Sequence, residues 1–222
     1  MRPGRQRAQP AWRLRSLPWL GFVASLVGLL ASVLPVQTLL AFTVDGMYAG
    51  EIWRFWTGHF VHYGEAHFWG DWLAFLVWAA LVESESRKAL LLSLLVGAPL
   101  LLLALELTCP TLGEYRGLSG IDTALVIELV LLRGFNRGKD GERGIGPWLT
   151  RVVGHSSLRV VGAASSCALL AKIGYEFDAG HALLAHDLGP GVTLVPEAHA
   201  FGALVGAGIG LICRRRMEEL PL

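Results

Sequence analysis

Six apolar stretches, separated by polar or glycine-rich connections, organise this chain. They run from Leu17 to Leu34, His67 to Val82, Ala89 to Leu107, Ser119 to Leu132, Leu158 to Ile173, and Ala198 to Cys213. The third is nearly pure leucine and contains Pro99, which predicts a kink. The fifth is rich in Ala and Ser and is the least apolar. A helical bilayer crossing needs about 20 mostly apolar residues. Several stretches are shorter, so thinning, snorkelling or longer true boundaries must help. No strand-like alternation competes with the helical reading. The expected fold is therefore all-α, a polytopic membrane protein built as a six-transmembrane-helix bundle. Residues 1–16 form a basic tail, 17–213 the membrane domain, and 214–222 a basic C-terminal tail.

Composition agrees with this pattern. The chain has 222 residues, 53% of them hydrophobic and 17% charged, with a mean hydropathy of +0.49. Soluble domains are about 25% charged, so a soluble enzyme is disfavoured. Cys109, Cys167 and Cys213 are far apart and form no disulfide framework. The net charge of +1 gives no bulk attraction for nucleic acid. The distribution of charge says more than its sum. Lys and Arg gather in the N-terminal tail, at 83–88, at 133–151 and at Arg214–Arg216. Arg54, Arg116, Arg159 and Lys172 are the exceptions. Cationic segments stay cytoplasmic, which places both termini inside and the 36–66, 108–118 and 174–197 loops outside. The outer loops carry Glu176 and Asp178 among their acids. A cleaved signal peptide would share the basic start. The first apolar run is long for that role and its cleavage site poor, which favours a retained helix.

Three polar clusters sit near the expected outer face, where intramembrane polar groups usually serve a cavity or a partner. The first is Gly117-Leu118-Ser119-Gly120, opening the fourth helix. Read alone, Ser119 is a helix cap. Its glycines also permit close approach, and a helix N-terminus suits a developing oxyanion. The second is Ala198-His199 followed by Gly202, Gly206 and Gly210. Glycines four apart make a flat packing face. If that face presses on the fourth helix, His199 lies beside Ser119 as a general base. The third is His59, His62, His67 and Asp71. His67 and Asp71 are four apart and share a helix face. His59, His62 and His67 are also a possible zinc set, although no Cys or fourth ligand closes it.

Together these clusters resemble the rhomboid family of intramembrane serine proteases. The matching motifs are Gly117-Leu118-Ser119-Gly120 opening helix four and Ala198-His199-x-x-Gly202-x-x-x-Gly206 in helix six. Trp53-Arg54 matches a pair in the first outer loop, and His62, His67 and Asp71 match the approach to helix two. The resemblance covers about residues 17–213. It implies a Ser119–His199 dyad, with an oxyanion held by the Ser119 N–H and His67. The short chain and the GLSG motif also resemble the rhombosortase branch. That branch implies substrates with a Gly-Gly C-terminal motif, a membrane helix and a basic tail.

Two positions depart from the family pattern. Asp71 replaces an Asn, so it is either protonated or accepts a hydrogen bond from His67. Thr123 stands where an aromatic ring usually stacks on the catalytic His, which leaves the support of His199 open. Asp122 is a candidate orienting group; it also suits the start of a helix. Glu128 is expected to pair with Ser165 or Ser166, and His181, His186 and Asp187 to lie in a solvated loop. The implied partners are a single-pass membrane protein substrate and the lipid bilayer, with no cofactor, metal or nucleic acid. The implied setting is a bacterial inner membrane with the site toward the periplasm. A pseudoprotease that binds helices without cutting them, and a small proton or metal transporter, are the competing readings.

Overall fold

The computed structural model describes residues 18–134, 155–179 and 195–219, and these are mostly helical. The basic tail at 1–16, positions 135–151 of the cationic 133–151 segment, and His181, His186 and Asp187 lie outside the described residues. In chain order the elements are α1 (Trp19–Val33), α2 (Gln37–Leu40), β1 (Phe42–Thr43), α3 (Val44–Tyr48), α4 (Arg54–Thr57) and α5 (Glu65–Glu85). There follow α6 (Arg87–Leu92), a π turn (Ser93–Gly97), α7 (Ala98–Thr108), β2 (Glu114–Tyr115), α8 (Ser119–Gly134), α9 (His155–Ala179) and α10 (Glu197–Glu219).

Helix α8 is the axis of the packing. Ile121, Ala124, Leu125, Leu129 and Leu132 are all buried on it, and it contacts α5, α9 and α10. Its contact with α10 is made backbone to backbone. A Cβ added at Gly202 would lie 2.1 Å from the Gly120 carbonyl oxygen, and one at Gly206 would lie 2.1 Å from that of Ala124. Only glycine permits this approach.

Helix α1 packs on α5 by similar means. A Cβ at Gly21 would meet Ala79 at 3.1 Å, and the Trp72 indole N–H donates to the Ser25 carbonyl at 2.7 Å. The Gly21 N–H lies in the first turn of α1, where no intrahelical acceptor exists. It donates to the buried Glu83 carboxylate of α5 at 2.8 Å.

The structure differs from the sequence expectations in five places. The 36–66 connection holds short helices and β1, which pairs antiparallel with β2 through Phe42–Tyr115 and Thr43–Glu114. Buried Arg54 ties this region together. Its guanidinium donates to the carbonyls of Thr38 at 2.9 Å and Ala41 at 2.5 Å, and to Glu51 at 2.5 Å. The third apolar run is interrupted at the π turn. Pro99 lies just after that turn, and the Leu95 carbonyl four residues before it accepts the Trp56 indole N–H at 3.2 Å. Glu128 pairs with Ser93 on that π turn, whose hydroxyl donates at 2.5 Å. Helix α9 runs on to Ala179, so Glu176 and Asp178 belong to a helix, and α10 continues through 214–219 of the expected tail.

Among the described residues, one apolar helical run is long enough to cross a membrane. It is Arg87–Thr108, 22 residues with a mean hydropathy of 2.4. Helix α1 is apolar but only 15 residues long. Large apolar side chains are exposed in helical rows: Phe22, Leu26 and Leu30 on α1, Trp69, Leu73 and Val77 on α5, Leu103 and Leu107 on α7, and Leu204 and Leu211 on α10.

Candidate active site

The site forms where the start of α8 meets the start of α10. Gly117 holds φ +131°, a backbone conformation that favours glycine. Its N–H donates to the Gly58 carbonyl at 3.2 Å, fixing the turn into α8. Ser119 follows, half-buried at the helix N-terminus. Helix α10 opens after Pro196, whose carbonyl accepts the His199 N–H at 3.1 Å. A Cβ at Gly120 would lie 3.1 Å from the Ala198 carbonyl oxygen. Ser119 and the buried His199 thus sit at the same end of the α8–α10 contact.

No hydrogen bond joins Ser119 to His199 among the described residues. The His199 ring is held by α9. Its Nδ1 lies 3.0 Å from Glu176 Oε2, and its Nε2 lies 3.3 Å from Lys172 Nζ. The Nδ1 approach is short but misses the angle of a full hydrogen bond. Lys172 also pairs with Glu176 Oε1 at 2.8 Å. Among the described residues no hydrogen bond or ion pair joins Asp122 to His199; the carboxylate at the imidazole is that of Glu176. Thr123 carries no ring, and its hydroxyl donates to the Ser119 carbonyl at 2.9 Å.

The second cluster lies on the other side of Gly117. A Cβ at Gly117 would be 3.2 Å from the His67 ring and 3.5 Å from Asp71 Oδ2. His67 Nε2 is 3.1 Å from Asp71 Oδ2, and His62 Nε2 is 3.3 Å from the same oxygen. Both contacts are close without full hydrogen-bond alignment. The His62 and His67 rings meet edge to face at 5.0 Å. The Leu118 N–H donates to His62 Nε2 at 3.4 Å. Burial holds the His62 imidazole below its usual range, against the opposite pull of Asp71. One nitrogen cannot both accept from Leu118 and donate to Asp71, so only the Nδ1–H tautomer of a neutral His62 serves the Leu118 N–H, and the Asp71 contact is then not a hydrogen bond.

By donor type, His62, His67 and Asp71 could hold a metal ion, since their ligand atoms lie within 4.8 Å of one another. The occupied lone pair on His62 weakens that set. His59 does not join it, because its Nε2 meets the Ala98 carbonyl at 3.1 Å.

Tyr115 was not singled out by the motifs, yet its hydroxyl lies toward the Ser119 side chain and the Gly120 N–H. It aligns fully with neither. Burial pushes its phenol above the usual range, so it stays a neutral donor. Glu176 and Lys172 also emerge only from the fold. Their signal in the sequence is the i, i+4 spacing, which supports an acid–base pair on a helix continuing past Ile173. No family profile matches the chain, and no curated protein matches it.

Proposed function

We propose that the protein is a polytopic intramembrane serine protease of rhomboid type, with Ser119 as nucleophile and His199 as general base. The observation that carries this reading is the α8–α10 backbone contact through Gly120 and Gly202. It gathers a serine at a helix N-terminus and a buried histidine at one end of a helix pair, with His67 close by at Gly117. The exposed apolar rows on α1, α5, α7 and α10 support a lipid-facing exterior, because water-facing surfaces rarely carry contiguous apolar area on this scale.

In the reaction, the Ser119 hydroxyl gives its proton to His199 Nε2 as its oxygen bonds to the substrate carbonyl carbon. Lys172 withdraws from Nε2 toward Glu176 to admit the hydroxyl. The oxyanion is held by the Ser119 N–H and His67, with Asp71 tuning His67. The C–N bond then breaks and the proton passes from Nε2 to the leaving amine. Water releases the acyl group by the same route. The proposed substrate is a single-pass membrane protein cut near the outer face, with a Gly-Gly C-terminal anchor as the specific candidate.

One observation favours a second reading. Nε2 faces Lys172 rather than Ser119, as a non-cutting, helix-binding relative would tolerate. Fluorophosphonate labelling of the detergent-solubilised protein separates the two. The protease reading expects labelling of the wild type and none of Ser119→Ala or His199→Ala. An unlabelled but folded wild type, or a labelled Ser119→Ala, would overturn it.

A further inference from the structure

Helix α9 brings a carboxylate to His199 that the motifs do not contain. Lys172 and Glu176 are four residues apart and face the start of α10. Glu176 is fully buried and His199 nearly so, at 0% and 4% exposure. A carboxylate buried this deeply needs partners, since an isolated one would take up a proton. Those partners include Lys172 Nζ at 2.8 Å, and His199 Nδ1 lies 3.0 Å away, close but short of full hydrogen-bond alignment.

The chemistry of these contacts selects one form of the imidazole. A neutral imidazole carries a single N–H. An ionised carboxylate only accepts, so the proton belongs on Nδ1. An ammonium only donates, so Lys172 at 3.3 Å requires a lone pair on Nε2. Both neighbours therefore favour the Nδ1–H tautomer. That tautomer has its basic nitrogen available to a serine hydroxyl. Thr123 offers no ring to stack on His199 and commits its hydroxyl to the Ser119 carbonyl. Asp122 forms no hydrogen bond or ion pair with the imidazole among the described residues.

We infer that Glu176 is the positioning residue of His199, turning the proposed dyad into a Ser119–His199–Glu176 triad in which Lys172 keeps the carboxylate ionised. The inference rests on the protease reading above. Glu176 touches no substrate. It fixes the tautomer and ring orientation before attack and faces the imidazolium that forms when Ser119 gives up its proton, a role carboxylates fill in unrelated serine hydrolases.

The test uses the full chain in detergent or nanodiscs. Fluorophosphonate labelling is followed against probe concentration for the wild type, Glu176→Gln, Glu176→Asp and Ser119→Ala. The maximal labelling rate of Glu176→Gln should fall about a hundredfold or more, as expected for loss of the orienting carboxylate. Its apparent probe affinity should change little, and Glu176→Asp should recover part of the rate. In parallel, ¹⁵N-histidine spectra, with His199 assigned through His199→Gln, should show the wild-type ring protonated at Nδ1 in its neutral form. That signature should be lost in Glu176→Gln. A labelled wild type with full-rate Glu176→Gln overturns the inference alone, as does a neutral His199 protonated at Nε2. If Glu176→Gln does not fold, the wild-type spectrum decides. An unlabelled, folded wild type overturns the protease reading, and the triad with it.

Discussion

His59 shows how one side chain couples this fold to pH. The 3₁₀ turn at Gly58–Phe60 buries it, and its ring lies edge-on to Tyr115 at 5.5 Å. Its Nε2–H donates to the Ala98 carbonyl, which links the first connection to α7. Burial lowers its pKa from 6.5 to about 4, and the carbonyl contact offsets only part of that. Between these values the folded protein holds His59 neutral while the unfolded chain binds a proton. Stability therefore rises with pH across that window and is lost as pH falls from about 6.5 toward 4. The slope is about 1.4 kcal/mol per unit, or about 2 kcal/mol by pH 5. His62 is shifted in the same direction and adds to the effect. Denaturation of the wild type and His59→Gln should be compared at pH 7 and pH 5, since Gln keeps a donor for Ala98. The variant should lose about 2 kcal/mol less on acidification. Equal losses in the two proteins would show that His59 is not the buried group responsible.

At the scale of elements, the glycines of α10 divide sharply. A Cβ at Gly206 would sit 2.1 Å from a backbone oxygen of α8, whereas one at Gly208 would meet nothing within 4 Å. Gly206→Ala must push two helices apart and should cost about 3 kcal/mol or more, the upper range for overpacking. Gly208→Ala relieves only helix entropy and should stabilise by up to about 1 kcal/mol. Thermal midpoints in one detergent check both; a tolerated Gly206→Ala would mean that the helices do not meet as described. This contact was legible in the sequence, because glycines four apart can only flatten one helix face. The order and kind of the long helices were legible for a similar reason, since apolar runs of that length leave few alternatives. The π turn was not, because a leucine run carries no mark where one residue is wound in. The end of α9 was not legible because Gly174, Glu176 and Asp178 lower the hydropathy after Ile173 without ending the helix. A helix read as ending at Ile173 puts Glu176 in a loop and leaves Asp122 as the nearest carboxylate for His199. Residues joined across 23 positions by tertiary packing leave no local pattern, and the Glu176–His199 contact is such a pair.

The whole molecule poses the question of orientation, which charge addresses independently of packing. The cationic segments at 83–88 and 214–216 lie toward the ends of α5 and α10 away from Ser119 and His199, and the positive-inside rule predicts that this end is cytoplasmic. Two ion pairs strengthen that end of the bundle: Arg133 of α8 meets Glu85 of α5 at 2.9 Å, and Arg87 meets the buried Glu83 at 2.9 Å. Pairing lowers the cost of holding Glu83 and Glu85 there and leaves neighbouring Lys88 exposed. The other end carries the β1–β2 pair, the Arg54 knot and the two histidine clusters. Cys109, partly exposed just after α7, marks that end. A variant that keeps Cys109 and replaces Cys167 and Cys213 with Ser should react with a membrane-impermeant maleimide on intact spheroplasts. A cysteine-free background carrying Lys88→Cys should react only after permeabilisation. The reverse pattern would put Ser119 on the cytoplasmic side and exclude substrates cut near the outer face. Equal reaction of both before permeabilisation would argue against a chain that crosses the bilayer between them. The α6–α7 run connects these two positions and is the one described helical run long and apolar enough for the crossing, so the pair of labels tests orientation and span together.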